Sequence, residues 1–106
     1  MEQTPHSLKT LVLGASPNPE RYAYRAVHSL RRHGHEVVAV GLREAEVADV
    51  HIQTGTPDIP DLDTVTLYLG PDRQKMYYEY ILGLKPRRIV FNPGTENAEL
   101  IQLATE

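Results

Sequence analysis

The fold is decided by one stretch near the start of the chain, Leu11-Val12-Leu13-Gly14-Ala15-Ser16-Pro17-Asn18-Pro19-Glu20-Arg21. It opens with three apolar residues, passes through a loop led by a glycine, and enters a segment with helical periodicity. A strand, a tight loop and a helix in this order are typical of the first unit of an α/β protein, and the backbone N–H groups at such a helix start can bind an anion. The stretch therefore predicts a buried strand followed by a ligand-binding loop.

Further apolar runs follow at intervals of about 25 residues, which is the length of one strand and one helix. None of them alternates cleanly between apolar and polar residues, as is typical of strands that are buried on both faces of a parallel sheet. The runs cover residues 37–40, 65–69 and 89–91, and a short edge strand is predicted over Val50–Gln53. We expect about five strands.

The segments between the runs have the periodicity of helices. In the first of them, Ala23, Val27 and Leu30 form an apolar stripe, and Gly34 suits the left-handed position that ends many helices. The helices are predicted over residues 21–33, 72–82 and 96–104. This order of elements predicts a single α/β domain, an open doubly wound parallel sheet with helices on both faces.

The composition excludes several classes of protein. The 106 residues include no cysteine, so disulfides, thiolate zinc sites and cysteine nucleophiles are excluded. A net charge of −3 argues against a nucleic-acid-binding protein, which needs a basic surface. No apolar run reaches the ~20 residues of a membrane span, and the first residues lack the features of a secretory signal. We expect a cytoplasmic domain over residues 8–106 after a tail over residues 1–7, with neither nucleic acid nor membrane as partner.

Ligands of doubly wound sheets bind beyond the carboxyl ends of the strands. In the first loop at that edge, Ser16, Asn18 and Arg21 are candidate donors to a phosphate group. The alternative is that Asn18 caps the following helix and Pro19 is its first residue. Only one glycine of the G-x-G-x-x-G pattern is present, so a standard dinucleotide site is not supported.

The end of the second strand argues against NAD. NAD sites place an Asp or Glu there to hold the ribose hydroxyls, whereas this sequence reads Val40-Gly41-Leu42-Arg43. Arg43 suits instead a phosphorylated adenosine ribose, as in NADP or coenzyme A. The alternative is that Arg43 is an ordinary solvated surface residue.

No catalytic constellation and no metal site are visible in the sequence. The serines lack the context of a nucleophile elbow, and His33 and His35 flank a helix-ending glycine rather than standing at ligand spacing. The tyrosines of the second helix are interpreted as structural, with Tyr77 and Tyr80 facing the core and Tyr78 exposed. This pattern favours a binding protein over an enzyme.

The sequence resembles the small CoA-binding domain proteins, a Rossmann-like group related to the N-terminal domain of the succinyl-CoA synthetase alpha subunit. The resemblance covers roughly residues 8–104. Besides residues 12–21, quoted above, it is carried by His33-Gly34-His35-Glu36-Val37-Val38, Thr64-Val65-Thr66-Leu67-Tyr68-Leu69 and Lys85-Pro86-Arg87-Arg88-Ile89-Val90-Phe91-Asn92-Pro93-Gly94-Thr95-Glu96-Asn97. It implies a Rossmann-like three-layer α/β/α fold that holds coenzyme A or an acyl-CoA.

The resemblance also implies a set of binding residues. The first loop would contact phosphate, Arg43 would meet the ribose 3′-phosphate, and the loop after the last strand would approach the nucleotide or the pantetheine arm. The predicted binding residues are Gly14, Ala15, Ser16, Asn18, Arg21, Arg43, Gly70, Asn92, Pro93 and Gly94. No catalytic residue and no metal are predicted.

Three interpretations of the function stay open at this point. The first is a stand-alone, non-catalytic CoA or acyl-CoA binding module that senses CoA or delivers it to a partner. The second is an NADP-type nucleotide-binding enzyme or sensor, which Arg43 allows and the missing glycine pattern weakens. The third is an interaction domain whose ligand site has decayed, since a fold alone does not determine function.

The last apolar run, residues 89–91, is expected to lie at the edge of the sheet with an unpaired apolar edge. We therefore expect the chain either to form a homo-oligomer through that edge or to be the stable part of a longer polypeptide.

Overall fold

The computed structural model describes residues 8–105, and in that part of the chain six strands are combined with four helices. The predicted tail over residues 1–7, like Glu106, lies outside the described residues. The strands are β1 (Thr10–Ala15), β2 (Val37–Gly41), β3 (Ala45–Val47), β4 (Val50–Gln53), β5 (Thr64–Leu67) and β6 (Arg88–Phe91). The helices are α1 (Tyr22–Arg32), α2 (Pro71–Gln74), α3 (Tyr78–Leu84) and α4 (Ala98–Thr105), and a 3₁₀ turn over Lys75–Tyr77 joins α2 to α3. None of these helices is long and apolar enough to cross a membrane.

The strands form one sheet in the order β3-β4-β2-β1-β5-β6. Neighbouring strands are parallel except β3 and β4, so the predicted α/β fold with a doubly wound sheet is confirmed. The sheet has one strand more than the expected five. β3 has only three residues, too few to form a recognisable run, and it pairs with β4 through a hairpin in which Ala48 has a φ of +55°.

The course of the chain across the sheet sets the ligand edge. From β1 the chain passes to β2 and on to the edge strand β3, turns back into β4 between β3 and β2, and then crosses to the other side of β1 as β5. The direction therefore reverses between β1 and β5. In doubly wound sheets the crevice for a ligand lies at this point, beyond the carboxyl ends of the strands.

Both faces of the sheet are covered by apolar side chains. On one face, Val12 of β1 packs with Val27 of α1. On the other face, Leu11 of β1 packs with Ile81 of α3 and Leu100 of α4. All five side chains are fully buried. Since alternate residues of β1 enter opposite cores, the structure has the three layers that the sequence predicts.

Helix α1 ends where the sequence predicts. Gly34 has a φ of +82°, a conformation that glycine adopts without a steric cost. Its N–H donates to the carbonyl of Arg31, and the N–H of His35 donates to the carbonyl of Leu30, each at 3.0 Å. These two bonds form the Schellman motif, which ends the helix and leads the chain into β2.

The helix predicted over residues 72–82 is broken by the 3₁₀ turn in the structure. Neither glycine nor proline lies within that segment, so the sequence carries no signal for the break. The prediction that Tyr78 is exposed is wrong. Its side chain is half-buried because it packs against the core, and its hydroxyl donates to Glu99 at 3.0 Å and accepts a hydrogen bond from Asn97 at 2.8 Å.

The other two tyrosines of this segment, Tyr77 and Tyr80, pack against the core as predicted. The hydroxyl of Tyr80 donates to the carbonyl of Pro57, which joins α3 to the connection between β4 and β5. Burial, followed by the nearby charge of Asp58, raises the pKa of Tyr80 to about 12. The tyrosine therefore stays neutral throughout the physiological pH range.

β6 lies at the edge of the sheet in the described part of the chain. It pairs with β5 on one side, and Val90 is 37% exposed. The position of this strand agrees with the expectation from the sequence. Self-association through its free edge stays a prediction.

Candidate ligand-binding cleft

A cleft of about 870 Å³ follows the carboxyl ends of the central strands. Its volume lies within the roughly 300–1,000 Å³ of small-molecule sites. Its walls come from the loop after β1, the start of α1, the end of β2, the residues after β5 and the loop after β6. The predicted binding residues that line it are Gly14, Ala15, Ser16, Asn18, Arg21, Arg43 and Pro93. The remaining three, Gly70, Asn92 and Gly94, do not line it.

Gly14 allows the end of β1 to approach the segment that follows β5. Its φ of +99° lies in the left-handed region, and a Cβ added here would lie 3.0 Å from the backbone of Tyr68 and from a methyl group of Leu69. The pairing of β1 with β2 also shifts between Leu13 and Ala15, so Gly14 is bulged out of the ladder. A side chain at this position would push the two walls of the cleft apart.

The loop over residues 16–21 is ordered by its own polar side chains. Ser16 Oγ accepts a hydrogen bond from the N–H of Asn18 at 3.1 Å, and Asn18 Oδ1 accepts one from the N–H of Glu20 at 2.9 Å. The interpretation of Asn18 as the helix cap is wrong, because the N-cap of α1 is Arg21 and no side chain caps it. The start of α1 thus lines the cleft, and its first backbone N–H groups can donate to a ligand. The Ser16 hydroxyl and the Asn18 side-chain amide, which also line the cleft, can donate as well.

Gly41 ends β2 at a point where its backbone packs tightly against the end of β1. It is buried, and an added Cβ would overlap the carbonyl oxygen of Ala15 and lie 3.1 Å from a methyl group of Ile52. From the sequence alone, this strand end was interpreted by the absence of the Asp or Glu that NAD sites carry there. A glycine at the end of a buried strand is itself a signal of close backbone approach. Arg43 follows two residues later, is exposed and lines the cleft.

Positive charge is concentrated in the cleft. The lining contains three arginines, and within residues 8–105 all three lack a carboxylate partner, namely Arg21, Arg43 and Arg73. The lining acids are Glu20 and Glu44, so the lining carries three positive and two negative charges on a chain of net charge −3. Arginines with carboxylate partners lie elsewhere: Arg31 pairs with Asp49, and Arg87 and Arg88 lie near Asp63. Arg73 was not among the predicted binding residues.

A buried amide network fixes the cleft wall beside β5 and β6. Gln74 is fully buried, and its Nε2 donates to the carbonyls of Leu69 and Thr95, each at 2.8 Å. Its Oε1 accepts a hydrogen bond from Asn97 Nδ2 at 2.8 Å. These bonds tie α2 to the loop after β6. A polar side chain can be buried this deeply only when its donors and acceptors are hydrogen-bonded, and no sequence pattern identifies the partners.

Asn92 is bonded to the sheet and does not line the cleft. Its Nδ2 donates to Thr66 Oγ1 and to the carbonyl of Leu67, each at 2.8 Å. Its own carbonyl accepts the N–H of Thr95 at 2.9 Å. These bonds hold the loop that brings Pro93 and Thr95 to the cleft.

Comparison with protein families matches residues 9–106 to the CoA binding domain family. The chain belongs to this family. The match spans almost the whole chain and confirms the resemblance that the loop after β1 and the strand pattern carry. None of the curated proteins compared with the sequence matches it.

Solved structures share the fold of this CoA-binding domain family member. An uncharacterized protein superposes with a TM-score of 0.91 at 48% identity, over 95% of this chain and 84% of that one. A hypothetical protein from Pyrococcus horikoshii OT3 gives a TM-score of 0.83 at 27% identity, over 99% and 85% of the two chains. A protein redesigned for binding gives 0.82 at 27% identity, over 93% and 70%.

In this CoA-binding domain family member, a charged cluster lies on the β3–β4 hairpin beside the cleft. His51 Nε2 lies 3.0 Å from Glu44 Oε1, and His51 Nδ1 is hydrogen-bonded to Glu46. The bonds to Glu46 and Glu44 raise the pKa of His51 above 6.5. Glu44 also lines the cleft next to Arg43. In residues 8–105, no group of three histidine or acidic side chains is placed to hold a metal ion.

Proposed function

We propose that the chain binds coenzyme A or an acyl-CoA in this cleft and has no catalytic activity of its own. The observation that carries the proposal is the convergence of the loop after β1, the uncapped start of α1 and two unpaired arginines, Arg21 and Arg43, at one edge of the sheet. Such a concentration of donors and positive charge on an acidic chain suits a ligand with several phosphate groups. Membership of the CoA binding domain family supports the same ligand.

The diphosphate fits the loop after β1. The Ser16 hydroxyl, the Asn18 amide and the first N–H groups of α1 are donors, and Arg21 supplies a positive charge beside them. The positive end of the helix dipole adds to this attraction. Because Gly14 has no side chain, the end of β1 can pack against Tyr68 and Leu69, which holds this loop at the cleft.

The phosphorylated ribose fits the end of β2. In doubly wound sheets the adenosine ribose lies there, and the planar guanidinium of Arg43 can form two parallel hydrogen bonds to a phosphate. NADP carries a phosphate on the same ribose, so Arg43 suits both ligands. The single glycine of the first loop favours coenzyme A over a dinucleotide.

The remaining arm of the ligand fits over β5 and β6. The cleft is lined on this side by Tyr68, Leu69, Tyr77 and Pro93, which suit the neutral pantetheine arm. The described lining contains no histidine, and its acids are Glu20 and Glu44. We therefore assign the site to holding the ligand, for sensing or for delivery to a partner enzyme.

Isothermal titration calorimetry with CoA, dephospho-CoA, NADP and NAD tests the proposal. We expect CoA to bind, dephospho-CoA to bind more weakly and NAD not to bind. Tighter binding of NADP than of CoA would favour the dinucleotide alternative, and binding of none would favour an interaction domain. As a second measurement, a ligand at about 100 times its Kd should stabilise the fold by ~2.7 kcal/mol.

A further inference from the structure

Arg73 is the lining arginine that the proposed placement of the three phosphates of coenzyme A leaves without a role. It lies in α2, next to Gln74, is exposed and lines the cleft. Within the described residues its side chain has no ion pair and no hydrogen bond. The neighbouring Gln74 fixes the backbone of α2 at Arg73, because its buried side-chain amide donates to the carbonyls of Leu69 and Thr95.

The surroundings of Arg73 favour an anion from outside the chain. The cleft around it is lined by Leu69, Tyr77 and Pro93, with no acidic side chain on this wall. The two acids of the lining, Glu20 and Glu44, belong to the loop after β1 and the segment after β2. An exposed arginine without a carboxylate partner can form a charge-assisted hydrogen bond to a carboxylate of the ligand, and salt weakens such a contact.

The orientation of the ligand places the acyl end at this wall. This step rests on the proposed function. With the ribose phosphate at Arg43 beyond β2 and the diphosphate at the loop after β1, the pantetheine arm must continue toward β5 and β6, where Arg73 lies. The arm itself is neutral and ends in a thiol or thioester. A positive charge at this end therefore matches a negative charge on the acyl group.

We propose that the cleft selects acyl-CoA molecules whose acyl group ends in a carboxylate, and that Arg73 pairs with that carboxylate. The ligand class is the monothioester of a dicarboxylic acid with CoA. Binding changes no covalent bond. Arg73 is then a specificity-determining residue, whereas Arg43 and Arg21 contact the part of the ligand that all CoA species share.

The test compares matched pairs of ligands on the full 106-residue chain by competition calorimetry. Succinyl-CoA and butyryl-CoA have acyl chains of four carbons, malonyl-CoA and propionyl-CoA have acyl chains of three, and each pair differs in one terminal carboxylate. At low salt we expect the carboxylate member of at least one pair to bind about tenfold more tightly, the scale of a charge-assisted hydrogen bond. The preference should decrease as the salt concentration is raised.

The variant Arg73→Met should abolish this preference and leave the affinity for free CoA within about twofold. Lys75→Met is the matched control, since it removes a positive charge two residues away that does not line the cleft. If CoA binds but the two members of each pair bind with equal affinity, the selection of acidic acyl groups is overturned and the proposed binding of CoA is not. A loss of CoA affinity in Arg73→Met equal to the loss for acyl-CoA would show that Arg73 contacts the diphosphate instead. No binding of any CoA species would overturn the proposed function itself.

Discussion

The two walls of the cleft are held in place by different means. Beside β1 and β2 the structure depends on close backbone packing, and Gly14 and Gly41 mark two points where an added side chain would collide with the backbone of a neighbouring segment. Beside β5 and β6 it depends on side-chain amides. Gln74, Asn92 and Asn97 join segments that are 21 to 26 residues apart in the sequence.

This difference determines how each wall fails. A wall made by backbone packing is damaged when an atom is added, because the neighbouring carbonyl has nowhere to move. A wall made by a buried amide network is damaged when an atom is removed, because donors and acceptors are then left without partners in a region that excludes water. Substitutions of opposite kinds should therefore separate the two walls.

Gln74→Ala should have the largest effect on stability. It leaves the carbonyls of Leu69 and Thr95 and the amide of Asn97 without their partner, and it creates a cavity. We expect the free energy of unfolding to fall by about 3 kcal/mol, measured by urea denaturation. Gln102→Ala is the control, since Gln102 is exposed, and it should change stability by less than about 0.5 kcal/mol. Equal losses in the two variants would contradict the role of the network.

Gly41→Ala should have the next largest effect. The added methyl group would overlap the carbonyl oxygen of Ala15, so β1 and β2 must move apart. We expect a loss of about 2 kcal/mol in the same measurement. Gly83→Ala should have the opposite sign, because Gly83 lies in α3 with open space around its Cα and alanine favours a helix by about 0.5–1 kcal/mol. A neutral Gly41→Ala would mean that the strands can separate without cost.

The same contrast explains what could be predicted from the sequence. The order of strands and helices, the end of α1 at Gly34 and the position of the first loop follow from local patterns of apolar residues and glycine. So does the placement of Arg43 at the cleft, because the end of a strand fixes which edge of the sheet a residue occupies. These features depend on neighbours in the sequence.

The wall beside β5 and β6 could not be predicted in this way. The side chain of Gln74 looks like any polar residue of an amphipathic helix, and its partners Thr95 and Asn97 become neighbours only after the sheet has formed. Arg73 was missed for a different reason, because residues 72–82 were interpreted as a helix and not searched for binding residues. β3 was missed because three residues paired by a hairpin carry no periodicity.

Arg43→Ala should have a smaller effect, and on the ligand rather than on the fold. Arg43 is exposed and unpaired within the described residues, so its removal leaves no buried group unsatisfied. We expect the binding of CoA to weaken by about 1.5 kcal/mol, at the low end of a charge-assisted contact because the site is open to solvent. Dephospho-CoA should be nearly unaffected. As a control, Arg32→Ala removes an equal charge at the end of α1 and should change the affinity for neither ligand. Equal losses of affinity for CoA and dephospho-CoA in Arg43→Ala would show that Arg43 does not meet the ribose phosphate.

His51→Gln should have the smallest effect, and it should depend on pH. Because Glu46 and Glu44 raise the pKa of His51 in the folded chain, the protonated ring stabilises the fold fully below the unfolded pKa of 6.5, and this contribution is lost as the pH rises through the higher folded value. We therefore expect the melting temperature of the variant to fall below that of the unmodified chain at pH 5.5, and the difference to shrink toward pH 8.5. His33→Gln, which removes a histidine without a carboxylate partner in the described chain, should show no such trend. If the difference in melting temperature grew with pH, the prediction would be contradicted, because the neutral form of His51 would then be the one that stabilises the fold.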